Sequence, residues 1–367
     1  MVRVLFPVRS DLQTQSGGDT VQILGSAQVL RERGLDVVVC SDGSAHPAEF
    51  DLVHLWHLER VHETYIHFAR AQAADRPVVL TPIYWPWRTG YPIIREPDGR
   101  TARQPWAENG RNVLRWWRAQ NAFERRAISA ALGRSWGRAR RELLSAAAVI
   151  MPNSEAEAEQ LRGEAQHELT IQVVPNGVHA QQCRDVLAAA APGERRGVLC
   201  VGSFDPRKNQ LAMIEALRGE DIELTFVGSP RRHHQAYYRR CRRAAGPHMR
   251  FLGEQSHDEI LQLMTRAAAH ASPSHHETPG LANLEAAALG CSLAVGDCAP
   301  VREYFGEHSV YMDSESAEAM RAGVHEALER PPRDALRERV LARYTWDAAA
   351  DAILEAYRRV GSPTASP

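Results

Sequence analysis

Twice along this chain, short apolar runs bounded by turn-forming residues alternate with amphipathic stretches of helical period, and few folds accept that pattern. Strands alternating with helices predict parallel sheets joined by crossover helices. The first series opens at Val2 to Val8 and passes a polar loop ending Ser16-Gly17-Gly18-Asp19-Thr20. It then enters a helix from Val21 to Arg33, which Gly34 closes as a C′ glycine. Further strands are expected at Asp36 to Cys40, Leu52 to Leu55, Pro77 to Leu80 and Ala147 to Met151. The second series runs through Gly197 to Gly202, Glu223 to Val227, Met249 to Leu252, Ala269 to Ser272 and Ser292 to Val295. Pro175-Asn176-Gly177 is a strong turn signal between the two. The expectation is an α/β protein of two doubly wound domains, residues 1–175 and 176–345.

Composition narrows the class. A chain of 367 residues with 44% apolar and 24% charged residues sits near globular averages and is long enough for two cores. No apolar run approaches the ~20 residues of a spanning helix, and the start has no signal-peptide layout, so a cytoplasmic protein is expected. The six cysteines lack C-x-x-C pairs, which favours buried thiols over disulfides or zinc ligands. Residues 1–150 carry 20 Arg against 15 Asp and Glu, and the remainder is acidic; so mild an excess argues against nucleic-acid binding. Of 44 basic residues, 43 are Arg, and the single lysine is Lys208.

Between Arg88 and Arg141 lies an insertion-like region whose part 111–141 holds nine Arg together with Trp116, Trp117 and Trp136. Two readings stay open for it. One is a solvated helical hairpin packing Trp and Leu against the first sheet. The other is a basic aromatic surface in peripheral contact with the inner face of a membrane, or gripping a lipid-linked substrate.

Several chemistries are excluded by direct reading. There is no G-x-G-x-x-G after a strand and no G-x-x-x-x-G-K-[ST], which weakens dinucleotide and P-loop readings. His276-Glu277 begins like H-E-x-x-H, but Gly280 stands where the second histidine belongs. No D-x-D pair of the kind that holds a metal on a nucleotide was found, so no metal or other cofactor is expected.

What remains lies in the second half. Val198 to Asn209 reads as a buried strand, a turn and a helix start, placing Arg207 and Lys208 at the carboxyl end of a sheet, where open α/β folds bind ligands. A guanidinium and an ammonium beside a helix N-terminus suit a diphosphate. The second feature is Ala271 to Gly290, in which Glu277 hangs in a Ser/Pro/His loop and Glu285 lies about one turn into the following helix. Glu285 suits two vicinal ribose hydroxyls, and Glu277 suits sugar hydroxyls near the phosphates.

In this order, Gly17-Gly18, Asp51-Leu-Val-His54, Pro152-Asn153-Ser154, Val174-Pro-Asn-Gly177, Arg207-Lys208, Val227-Gly228, Phe251-Leu-Gly253 and the Glu277 to Glu285 element resemble the group 1 retaining glycosyltransferases of the GT-B fold, glycosyltransferase family 4. The resemblance covers nearly the whole chain, and the Glu pair with its flanking Pro-Ser and Gly is its specific part. It implies two Rossmann-like domains facing a cleft, with a C-terminal helix 346–360 returning to the first, and transfer of a sugar from a nucleotide-diphosphate donor to a hydroxyl acceptor. That acceptor would be a glycan, a lipid-linked molecule or a small glycoside. Lys208 and Arg207 would hold the diphosphate, Glu277 the donor sugar and Glu285 the ribose. Gly17, Gly18, Ser203, Gly228, Gly253, Gly280 and Leu281 would complete the donor site. No nucleic acid is implied.

There are departures from the family pattern. Ser203 stands where Arg is frequent, so Arg207 is the candidate replacement, and His179 ends the Pro-Asn-Gly-Val run. Thr278-Pro279-Gly280 replaces Gly-Phe-Gly, and Pro279 has no N–H to donate. Thr81-Pro-Ile-Tyr84 stands where relatives carry a histidine, leaving His54, His57 and Tyr84 as acceptor-side candidates. The rival functions are an epimerase or phosphorylase on the same fold, and a catalytically silent membrane-associated scaffold.

Overall fold

The computed structural model describes residues 1–14, 17–84, 125, 136–191, 193–231, 234–330 and 334–361. Most of the Arg/Trp segment 111–141 lies outside the described residues, as does the tail from 362. The chain divides into two compact units, Met1–Pro175 with Ala349–Pro367, and Asn176–Ala348.

In the first unit β1 (Arg3–Pro7), β2 (Asp36–Cys40), β3 (Leu52–Trp56), β4 (Val78–Thr81) and β5 (Val149–Ile150) form a parallel sheet in the order β2-β1-β3-β4-β5. The helix Gly18–Glu32 starts earlier than the sequence predicts and ends before Gly34, whose φ of +85° supplies the left-handed residue. β3 is buried along its whole length, as a strand covered on both faces must be.

The second unit contains β6 (Val198–Val201), β7 (Leu224–Val227), β8 (Met249–Phe251), β9 (Ala269–Ser272), β10 (Ser292–Gly296) and β11 (Val310–Met312), again all parallel, in the order β11-β10-β9-β6-β7-β8. β11, three residues long, was not foreseen from the sequence. Along β6, Val198 and Cys200 pack into one core layer with Phe226 and Ile214, while Leu199 packs into the other with Leu284 and Leu293. Alternation of side chains across a strand produces this division.

The strand order fixes where function sits. In each sheet the chain leaves its first strand in one direction and later returns to that strand's other side. The reversal falls between β1 and β3 in one unit and between β6 and β9 in the other. Loops that diverge at such a point leave a crevice at the strands' carboxyl ends.

The C-terminal helix Trp346–Arg359 belongs from Ala349 onward to the first unit, where the Tyr357 hydroxyl lies 2.8 Å from His54 Nδ1. All six cysteines are unpaired; five are buried and Cys298 is half-buried. Among the described residues no helix is long and apolar enough to cross a membrane.

One buried carboxyl ties two loops of the first unit together. Glu157 accepts the Tyr84 N–H at 2.6 Å through one oxygen and the Asn153 N–H at 2.6 Å through the other. Burial raises its pKa to about 7, although both N–H groups pull it down. An acid whose folded value exceeds its unfolded value loses its favourable contribution as pH rises through the interval between them. Stability should therefore decline between about pH 4.5 and 7 through this group. Glu157→Gln is expected to flatten that part of a urea-midpoint versus pH profile; an unchanged slope would reassign the effect.

Candidate active site

The loops that follow β6 and β9 meet at the second sheet's reversal. After β6 the chain turns through Gly202, and Asp205 caps a 3-10 turn Pro206–Lys208 by accepting the Arg207 N–H at 2.9 Å. Proline at the first position of that turn loses no hydrogen bond there. Asn209 adopts a left-handed φ of +55°, and the helix Gln210–Leu217 begins. After β9 the loop runs from Pro273 to Gly280, with His275 N–H donating to the Arg207 carbonyl at 3.0 Å.

Across this junction Lys208 Nζ donates to Glu277 Oε2. The Glu277 side chain is 16% exposed and that of Lys208 30%, so the pair is only partly open to water. Burial pushes the Glu277 carboxyl up, but the Lys208 ammonium outweighs it and holds the group below the ordinary carboxylate value. Gly280 makes this packing possible: its φ is +87°, and a methyl there would lie 2.8 Å from Glu277 Cγ and 2.7 Å from Asn283 Nδ2. The neighbouring histidines are neutral, since burial takes His270 and His276 each to about 4.

Arg207 does not join Lys208 on the same partner. Its guanidinium folds back onto Asp205, with contacts of 3.0 to 3.2 Å, while 41% of its side chain remains exposed. The Ser203 carbonyl accepts from Gln210 Nε2 at 2.9 Å. Gly228 has a φ of +133° and packs so tightly that a methyl would fall 2.3 Å from the Gly202 carbonyl oxygen. Its N–H reaches the Gly253 carbonyl at 2.7 Å, so the loops after β6, β7 and β8 are laced together. Leu281 opens the helix Leu281–Ala288, on which Glu285 sits.

Glu285 takes a partner of its own. His257, at the start of the helix His257–Arg266, lies with Nε2 2.8 Å from Glu285 Oε1. That hydrogen bond raises the imidazole above its ordinary value, against the opposing effect of desolvation. The sequence reading missed His257, although the capping box Ser256–Glu259 marks the helix that carries it.

The first unit's candidates separate by environment. His54 is fully buried, stacked on Trp56, with Nδ1 at the Tyr357 hydroxyl and Nε2 at Thr81 Oγ1, each 2.8 Å away. Burial lowers its pKa to about 3, so it is a neutral core residue. Tyr84 is buried, with its hydroxyl on Glu164 and its ring beneath Arg140. His57 alone stands at the first sheet's reversal, with a left-handed φ of +71° and Nε2 3.3 Å from Asp19. Beside it Arg9 pairs with Asp19 and Asp11, and Arg60 with Asp11. Gly17 and Gly18 begin the helix that carries Asp19. The charged partners were not foreseen, because Arg9 and Arg60 are 51 positions apart and nothing local links them. Among the described residues no group of three or more His, Cys, Asp or Glu side chains could hold a metal ion.

The fold is that of GT-B sugar transferases. Sucrose-phosphate synthase from Thermosynechococcus elongatus superposes over 98% of this chain and 99% of its own, with a TM-score of 0.72 at 15% identity. HepE of Anabaena, in complex with UDP and glucose, superposes over all of both chains at 0.61 and 15% identity. The trehalose-phosphate synthase of Burkholderia xenovorans, in complex with glucose-6-phosphate, matches 95% of this chain and 79% of its own at 0.58 and 12% identity. Residues 188–355 match the family model of glycosyl transferases group 1. A glycogen synthase of Mycobacterium tuberculosis is 32% identical over 115 residues, which span 29% of this chain and 28% of that relative's length.

Two outcomes follow from this geometry. Gly280→Ala should cost about 1–3 kcal/mol through backbone strain plus crowding of Glu277, read as a lower denaturant midpoint. Gly253→Ala, where φ is +74° but nothing lies within 4 Å, should cost only the strain. Equal losses would show that Glu277 is not crowded. In proton NMR the His257 imidazole should titrate above its ordinary value, and Glu285→Gln should return it there. Its pair with Glu285 is complete at pH below the ordinary histidine value and is lost as pH rises through the raised one.

Proposed function

We propose that this chain is a glycosyltransferase that moves a sugar, with retention, from a nucleoside-diphosphate donor to a hydroxyl acceptor, without a metal or other cofactor. The observation that carries the reading is the Lys208–Glu277 pair, brought together by the loops of β6 and β9 at the reversal of the second sheet. The group 1 domain match and the UDP and glucose bound by HepE support a nucleotide sugar as donor.

In this reading Lys208 is aimed by Glu277 at the diphosphate, where negative charge grows as the glycosidic bond breaks. The first turns of the helices Gln210–Leu217 and Leu281–Ala288 add N–H groups that have no partner within the helix. Glu277 presents a carboxylate to the donor sugar's hydroxyls, and Glu285 one to the ribose. The departing phosphate takes the acceptor's proton, so no protein nucleophile is needed. What the protein supplies is positioning and charge.

A thermal-shift panel of nucleoside diphosphates and nucleotide sugars tests the donor class. A ligand present at 100 times its dissociation constant adds about 2.7 kcal/mol of stability. Donor hydrolysis or transfer products, read by NMR at the anomeric carbon, then report retention. No stabilisation by any nucleotide at millimolar concentration would overturn the reading.

Lys208→Ala should lower turnover about 10²- to 10³-fold. Arg207→Ala should cost less, because Asp205 already offsets that charge. Glu285→Ala should chiefly weaken donor binding, by about 1.5–3 kcal/mol, with turnover nearly kept, since a ribose contact persists from ground to transition state. Unchanged affinity for the nucleoside diphosphate would remove Glu285 from the ribose.

A further inference from the structure

Between Gly228 and Gly253 the chain contains seven Arg, three His and no acidic residue, inside a unit that is otherwise rich in carboxylates. Four of these arginines fall on the helix Gln235–Ala244. At 100° per residue, Arg239, Arg240, Arg242 and Arg243 share one side of the helix, and all four are exposed. Cys241 occupies the opposite side and is fully buried. The helix is anchored by its apolar face, with Tyr237 taking the Leu211 N–H at 3.0 Å. The guanidiniums are thus held on a fixed element.

Several exposed arginines elsewhere in the protein are balanced, although among the described residues Arg184, Arg218, Arg250, Arg266 and Arg343 are exposed with no carboxylate at ion-pair distance. Arg162, Arg196, Arg302, Arg321 and Arg358 each have a carboxylate within 3.1 Å. Among the described residues no carboxylate lies within ion-pair distance of Arg239, Arg240, Arg242 or Arg243. Arg242 also stacks over Phe251 at 5.0 Å, which neutralises nothing. Together with Ala236 the four arginines line a shallow depression of about 440 Å³. Four like charges within one and a half helical turns repel one another, so an anion that bridges them gains both its own pairing and relief of that repulsion. Guanidinium forks match phosphate oxygens two at a time.

We propose that this depression is an anion-binding site for a small phosphate-bearing ligand, separate from the Lys208–Glu277 junction. The site takes a compact anion and not a long polymer: the four charges cover about 6 Å of helix axis, at 1.5 Å per residue. Their face shows no exposed large apolar side chain of the kind that enters a bilayer. The proposal does not depend on the donor reading.

Inorganic pyrophosphate is the probe, titrated calorimetrically into the full-length chain at 50 mM salt. Lys208→Ala is the background, so that the donor loops contribute little. One binding event should remain there and weaken at least tenfold at 300 mM salt, as exposed charge pairing is screened. Adding R239Q, R240Q, R242Q and R243Q together should abolish it, with the thermal midpoint nearly kept because all four side chains are exposed. The four Arg→Lys changes should retain weaker binding, as charge survives without the fork. Undiminished binding by the four-Gln variant would overturn the proposal. So would sedimentation with phosphatidylglycerol vesicles in the absence of any pyrophosphate binding, which would assign the face to lipid headgroups.

Discussion

Every strand pair in both sheets is parallel, and this constraint organises the rest of the molecule. Parallel neighbours must be joined by crossovers, so all carboxyl ends in a sheet point the same way and the loops that leave them collect along one edge. Where the strand order reverses, two of these loops part and expose backbone and side chains between them. In the second unit those loops carry Lys208 and Glu277; in the first they carry Arg9, Asp11, His57 and Arg60.

The two reversals handle charge differently. In the first unit, Arg9, Arg60, Asp11 and Asp19 form a linked network that reaches on to His57 and Glu63: burial pushes the Asp11 carboxyl up, and Arg60 and Arg9 outweigh it to hold the group near 2. In the second unit the Lys208 ammonium meets the Glu277 carboxylate beside the Arg207–Asp205 pair, and burial keeps the nearby histidines His270 and His276 uncharged. Removing either member leaves the other charge partly buried without compensation, which is far costlier than losing an exposed pair.

The residues around the junction show how local backbone chemistry sets side-chain geometry. Asp205 and Pro206 shape the turn that projects Lys208, Asn209 takes the left-handed conformation that lets a helix begin at once, and Gly280 leaves room for Glu277. Each is a short-range effect. Their sum brings together residues 69 positions apart.

The alternation of strands and helices, the division between Pro175 and Asn176, and the loop positions of Lys208 and Glu277 were legible in the sequence, because period and chain-breaking residues are local properties. β11 was not, and neither were the partners of the charged groups. Arg207 and Lys208 are adjacent and look like a single clamp, yet one folds onto Asp205 and the other reaches Glu277, since the 3-10 turn sends successive side chains in different directions. His54 reads as a candidate until the fold buries it between Thr81 and Tyr357. His257 gains significance only when two helices set it on Glu285. The sequence by itself determined which elements form and at which strand ends the charged loops emerge. Tertiary structure alone decided which charge faces which, because that depends on strand order and helix packing, which bring together residues far apart along the chain.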